Sequence, residues 1–370
     1  MAIVTFLVLV CMMSLLLLIY PRSYVAHSPI NLAEYDTAAC PDTLLVLPIG
    51  RPARDYSAID AHALAATSLD EADIQSLAAY LFRPAKDDWE RVRAIYRWLA
   101  DRIRYDDAAY NSGHYGLPDA ETLLQLRRGV CEDYANLFVA LAAQGHIPSK
   151  KVIGFSKGFS SSDHRKTLEP DHAWNAAMID SVWYLFDPTW GAGYGQMRGG
   201  SLVTTKHFEP YWFATRPEEF IFMHLPSEGK WQLLPQTLSV AEFECLPMVP
   251  GQFFAMGFSA DTLLAQLFAG TVNAVPVMYA NDFEVKVVDA PAVVDLDLGE
   301  SMQMRFACGN CGAMTAQTAG RLIDFEQSDS LFCLDIRPKK GPLRIYAKKR
   351  KYDNRYDGIM EYTVRKARAE

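Results

Sequence analysis

Two apolar runs with strand character, His172 to Ile179 and Val182 to Asp187, are separated only by Asp180-Ser181. A two-residue connection between such runs reads as a tight hairpin. That turn sets Trp174 opposite Asp187 and His172 opposite Thr189. Side chains alternate faces along a strand, so His172, Trp174, Ala176 and Met178 share one face with Trp183, Leu185 and Asp187. His172 and Asp187 become diagonal neighbours, with backbones about 7 to 8 Å apart and side chains within reach of each other. A slip of one residue would send them to opposite faces.

Upstream, Gly129-Val130-Cys131-Glu132-Asp133 leads into the apolar, helix-favouring stretch Tyr134 to Leu141, which stops at Gly145. Gly129 breaks the preceding element, and acidic residues occupy the first turn, as helix starts prefer. Cys131 is therefore expected at a helix N-terminus. A cysteine is nucleophilic as the thiolate, which a helix N-terminus and a neighbouring imidazolium both favour. His172 is the expected base, held in one tautomer by Asp187, with Cys131 as nucleophile. The backbone N–H of Cys131 is the expected first oxyanion donor. Gln125 is a candidate second donor, although an exposed polar residue is its plainer reading.

The rest of the chain frames this constellation. Residues 1–22 contain an uncharged apolar run, Ile3 to Tyr20, read as a signal peptide or membrane anchor. The corresponding expectation is an exported or membrane-anchored protein that contacts the membrane through this segment. Residues 23–68 lack periodicity and read as a linker or extended arm. Ser68 with Glu71 has the form of a capping box before Ile74, Leu77, Ala78 and Leu81. A second helix is expected from about Asp87 to Arg104, followed by a surface loop from Tyr105 to Pro118. A strand is expected over Lys151 to Phe159. Residues 69–228 are thus assigned to a first, α+β domain, and residues 229–370 to a β-rich, sandwich-like one. The latter includes strands over Phe283 to Val288, Val293 to Leu298, Leu331 to Ile336 and Leu343 to Ala347.

The net charge of −8 argues against a nucleic-acid binder, and the locally basic stretch Lys339 to Arg368 reads as a solvated face. The chain has seven cysteines. Cys308 and Cys311 form a single C-x-x-C without a second such pair, so a local disulfide or buried thiols are expected in preference to a metal site. No cofactor is expected.

Three segments together resemble the core motifs of transglutaminase-like proteins, and in particular the kyphoscoliosis-peptidase branch. They are Arg128-Gly129-Val130-Cys131-Glu132-Asp133-Tyr134-Ala135, His172-Ala173-Trp174-Asn175, and Trp183 to Gly191. Ala94 to Leu99 with Ile103-Arg104-Tyr105-Asp106 upstream, and Glu242-Phe243, Leu246-Pro247 and Phe253-Phe254 downstream, extend the similarity to roughly residues 70–260. The resemblance implies a papain-like core with a Cys-His-Asp triad on Cys131, His172 and Asp187, acting on amide bonds through a thioester. The implied partner is a peptide or protein substrate that offers a Gln side chain or a peptide bond. Glu132 stands where classical animal transglutaminases carry Trp, and no acidic calcium loop is evident, which favours hydrolysis over cross-linking. A non-catalytic interaction module on the same fold is the alternative.

Overall fold

The computed structural model describes residues 54–116, 119–158, 169–270, 274–279 and 281–366, all within one compact unit. The apolar run at residues 3–20 lies outside the described residues, as does most of the polar stretch 160–170. The exported or membrane-anchored location read from that run is corrected here: among the described residues no helix is long and apolar enough to cross a membrane.

Ser57–Leu64, within the stretch read as a linker, is a helix that buries Ile59 and Ala63. Asp60 on it takes a bidentate ion pair, 2.7 Å in each limb, from the buried Arg93 of helix Asp88–Arg102. Helix Ile74–Leu81 is capped by Asp73, which accepts from Ser76 N–H. The expected Ser68–Glu71 box does not form, because Glu71 is drawn inward to accept from Trp98 and Arg127. Tertiary charge pairing here outcompetes a local cap. Asp87 caps Asp88–Arg102 in the same way, through Glu90 N–H.

The five-stranded antiparallel sheet has the order Phe213–Thr215, Val182–Phe186, His172–Ile179, Ser149–Ser156, His224–Pro226. The central hairpin pairs Asn175 with Phe186 and Ile179 with Val182, the register expected from the two-residue turn. Asp180 and Ser181 have φ of 51° and 64°, both left-handed, which fits the twist of adjoining strands. Asp180 also accepts from Trp89 Nε1 at 3.2 Å, which ties the turn to Asp88–Arg102. Helix Cys131–Gln144 packs on the two strands His172–Ile179 and Ser149–Ser156, and every residue from Asp133 to Ala142 is buried. Trp98, Trp174, Tyr134, Phe138, Phe186 and Phe213 lie at the centre of this helix-on-sheet core. Gly154 lets the sheet close: a Cβ there would fall 2.2 Å from the Leu225 carbonyl and 2.6 Å from the Trp174 ring.

Short helices Val240–Cys245, Gly251–Ala255 and Ala260–Phe268 follow, so the β-rich stretch begins at Val277. It comprises a six-stranded and a four-stranded sheet. Met304, Phe306 and Cys308 alternate inward on one sheet, and Leu343, Ile345 and Ala347 do so on the other. Each sheet thus buries one face, as layered β structure requires. Cys308 and Cys311 are joined by a disulfide.

Ser181 bears a Cβ in a left-handed conformation that disfavours one. Ser181→Gly should therefore raise stability by about 1 kcal/mol in urea unfolding, with Asp180 left to hold Trp89. A loss of stability would mean that the turn is not the strained element described.

Candidate active site

Cys131 is the first residue of its helix, half-buried, with Val130 extended before it. The Asp133 carboxylate folds back to accept from Val130 N–H at 2.8 Å. That fold-back requires Gly129, because a Cβ there would lie 2.6 Å from Asp133 Oδ2 and 2.8 Å from Leu123 Cδ1. Burial pushes the Asp133 carboxyl up to about 7. Tyr134 anchors the same turn by donating to the Ile103 carbonyl at 2.7 Å.

His172 enters from the neighbouring strand, close enough to the Cys131 side chain for the sulfur to raise its proton affinity. Its Nε2 lies 2.8 Å from Asp187 Oδ2. An ionised carboxylate only accepts, so Nε2 carries the proton and Nδ1 is left for the thiol. Asp187 is fully buried. Its second oxygen accepts from Trp190 N–H at 2.9 Å, making Asp187 the cap of the short helix Pro188–Gly191. Burial alone would raise the Asp187 carboxyl, but the charge and hydrogen bond of His172, with a hydrogen bond from His224, hold it well below the usual range. Burial likewise opposes protonation of His172, yet Asp187 and Cys131 outweigh it and push the imidazole up to about 10. The structure therefore sets Cys131, His172 and Asp187 in a row, with the His172–Asp187 hydrogen bond as its fixed link.

Two neighbours were not singled out by the sequence. His224 Nε2 lies 3.0 Å from the same Asp187 Oδ2, and His224 is fully buried. Its one sequence signal is a polar side chain inside the apolar run Phe220 to Leu225, which implies a buried partner. Tyr105, read as surface loop, instead lies beside the site: a parallel bridge pairs it with Gly129, and burial and then Cys131 push its hydroxyl proton affinity upward. It therefore stays a donor at neutral pH. Gln125, by contrast, donates to the Ala72 carbonyl at 3.0 Å on the exposed side of its helix and takes no part.

A cleft of about 360 Å³ leads to His172, walled by Tyr105, Tyr110, Trp190, Tyr194 and Thr204. One wall is the ribbon Gly193–Arg198 and Ser201–Lys206. It is fastened by Asn111, which bonds both N–H and C=O of Leu202, and by Lys206, which donates to the Ile103 carbonyl. Donor atoms of His172, Asp187 and His224 lie within 4.8 Å of one another, a spacing that a metal ion could bridge. Both Nε2 atoms, however, already point at one carboxylate oxygen at hydrogen-bond distance, which is the arrangement of a proton-bearing network.

The raised His172 and depressed Asp187 make stability depend on pH. The His172 contribution is complete below its ordinary 6.5 and is lost as pH rises toward about 10. The Asp187 contribution is complete above its ordinary 3.8 and is lost only in stronger acid. The stability gap between wild type and Asp187→Asn should thus be widest between about pH 4 and 6.5 and narrow toward pH 10, as read by urea unfolding at each pH. A gap constant over that span would contradict the pairing.

Residues 75–188 match the family model described as the transglutaminase-like superfamily. The chain is 30% identical over 208 residues to human kyphoscoliosis peptidase, covering 55% of this chain and 30% of that protein. It is 31% identical over 221 residues to the Lim and transglutaminase domain protein ltd-1 of Caenorhabditis elegans, covering 55% and 29%. Among solved structures it is similar to red sea bream transglutaminase, with 10% identity, 78% and 55% coverage and a TM-score of 0.24. The chain spans under a third of the length of those curated relatives. The segment from residue 75 to 188, where all three members of the row reside, is the part of the chain that is similar to the transglutaminase-like superfamily.

Proposed function

We propose that this protein is a cysteine-dependent amide hydrolase or acyltransferase that works through a thioester on Cys131. The observation that carries the reading is the row itself: a thiol at a helix start, an imidazole near enough for the sulfur to raise its proton affinity, and a buried carboxylate behind that imidazole. The Cys131 proton rests on His172 Nδ1 in the thiolate–imidazolium pair, and the sulfur attacks the amide carbon. The C–N bond then breaks, and the proton on His172 passes to the leaving nitrogen. Water, or a second amine, attacks the thioester carbon while His172 takes its proton, and the sulfur leaves. Asp187 keeps its charge throughout and stabilises the imidazolium.

The oxyanion formed at each step needs donors. The backbone N–H of Cys131, free of an intrahelical partner at the first helical position, supplies one. Tyr105 supplies the second in this reading, because it lines the cleft and Cys131 acts on its hydroxyl. A polypeptide amide suits the cleft, whose tyrosine and tryptophan walls offer apolar faces with polar tips. The word peptidase in the human relative's name agrees with such a substrate.

Iodoacetamide at mildly acidic pH should label Cys131 well ahead of the exposed Cys245, read by mass spectrometry. Incubation with a mixed peptide library should leave an acyl adduct on Cys131 of the wild type and none on Cys131→Ala. Equal labelling of all thiols with no adduct would favour an interaction module on the same fold. Tyr105→Phe should preserve labelling at Cys131 while slowing acyl transfer by about 10²-fold, the scale of a lost oxyanion donor. Undiminished transfer would remove Tyr105 from that role.

A further inference from the structure

Asp187 serves two imidazoles through one oxygen: His172 at 2.8 Å and His224 at 3.0 Å. Since the carboxylate only accepts, both Nε2 atoms must carry a proton. The rings are 5.4 Å apart between centroids, close enough that two imidazolium ions would repel. A single positive charge therefore belongs to the pair, and the surroundings decide where it sits. His172 borders the cleft and is raised by the nearby Cys131 sulfur, whose anion would be its counter-charge. His224 has no exposed surface and is enclosed by aromatic rings: Phe220 at 4.0 Å, Trp190 at 4.4 Å, and Trp174 and Trp212 at 5.1 Å each.

We propose that His224 is a positioning residue for the thiol chemistry, a permanently neutral imidazole that donates Nε2–H to Asp187, fixes the carboxylate and takes a share of its charge away from His172. This rests on the role given to Cys131, His172 and Asp187 above. Burial lowers His224 to about 4, consistent with neutrality wherever His172 is charged. Strand His224–Pro226 is the sheet's outer strand beside Ser149–Ser156, with His224 opposite Ser156, so its position is set by backbone pairing.

Other ionisable groups facing the pair are accounted for. Tyr134, beneath Asp187, is committed to the Ile103 carbonyl. Asp171, next to His172, accepts from Ser156 N–H. Arg104, Tyr105, Asp107 and Lys206 face the cleft, and Asp133 caps the helix that carries Cys131. None of these bonds Asp187, so His224 is the side chain able to share its charge.

The test is the pH profile of Cys131 alkylation in wild type, His224→Phe and His224→Gln. Phe retains the ring but no donor, so His172 loses its one side-chain rival for the Asp187 charge, and the limb that reports His172 deprotonation should move up by roughly half to one pH unit. Gln places an amide N–H near the lost Nε2–H and should return the limb toward wild type. A residue that only fills space would leave the limb unmoved in Phe, and that result in a folded variant overturns the proposal. Histidine 15N NMR of the wild type tests it without substitution: His224 should hold one proton, on Nε2, from pH 5 to 9, and a charged His224 would overturn it. Absence of preferential Cys131 alkylation in the wild type would instead strike at the thiol chemistry, so the two failures are told apart.

Discussion

The buried Asp187 carboxylate is the interaction on which the rest of the structure depends. A charge without solvent is tolerable only if its lone pairs are filled, and removing one partner of such a charge costs about 3–5 kcal/mol. Asp187 receives His172, His224 and Trp190 N–H, contributed by a central strand, an edge strand and a helix start. Its own N–H donates to the Trp212 carbonyl. Four segments from different parts of the chain thus converge on one residue, and the geometry that satisfies the carboxylate is the same geometry that aims His172 at Cys131.

Close packing makes that convergence rigid. Gly129, Gly154 and Gly191 each stand where a methyl group would strike a neighbour within 2.6 Å, at the helix start, the sheet interior and the turn after Asp187 respectively. At Gly191 the neighbour is the Tyr96 hydroxyl, which itself bonds the Glu209 carbonyl. The aromatic residues around the two imidazoles exclude water from the carboxylate side and leave the cleft side open. An ion pair so enclosed is electrostatically stronger than one at the surface, which is how a fold holds a proton on an imidazole at neutral pH.

The β-rich remainder follows different rules. Its strands alternate buried and exposed residues across two sheets, and its disulfide closes a three-residue step at the end of strand Met302–Cys308. The family match ends at residue 188, so this region is described by its architecture.

Much of the site was legible in the sequence because it rests on short-range rules. A two-residue turn imposes register, so the facing of His172 and Asp187 could be read from positions alone, and Gly129 with acidic residues after Cys131 marked the helix start. Gln125, turned toward Ala72, is the exposed polar residue of its plainer reading. The cap at Asp73 in place of Ser68 escaped the sequence because distant partners decided it: Trp98 and Arg127 claimed Glu71. Tyr105 and His224 escaped it for the same reason, since a parallel bridge to Gly129 and an edge-strand pairing with Ser156 bring them in from 26 residues before Cys131 and 37 after Asp187. Local sequence determined which elements form and how one hairpin is registered, through backbone sterics and side-chain alternation. Which second imidazole shares the carboxylate was decided by tertiary structure, because only packing brings a buried charge the donors it cannot do without.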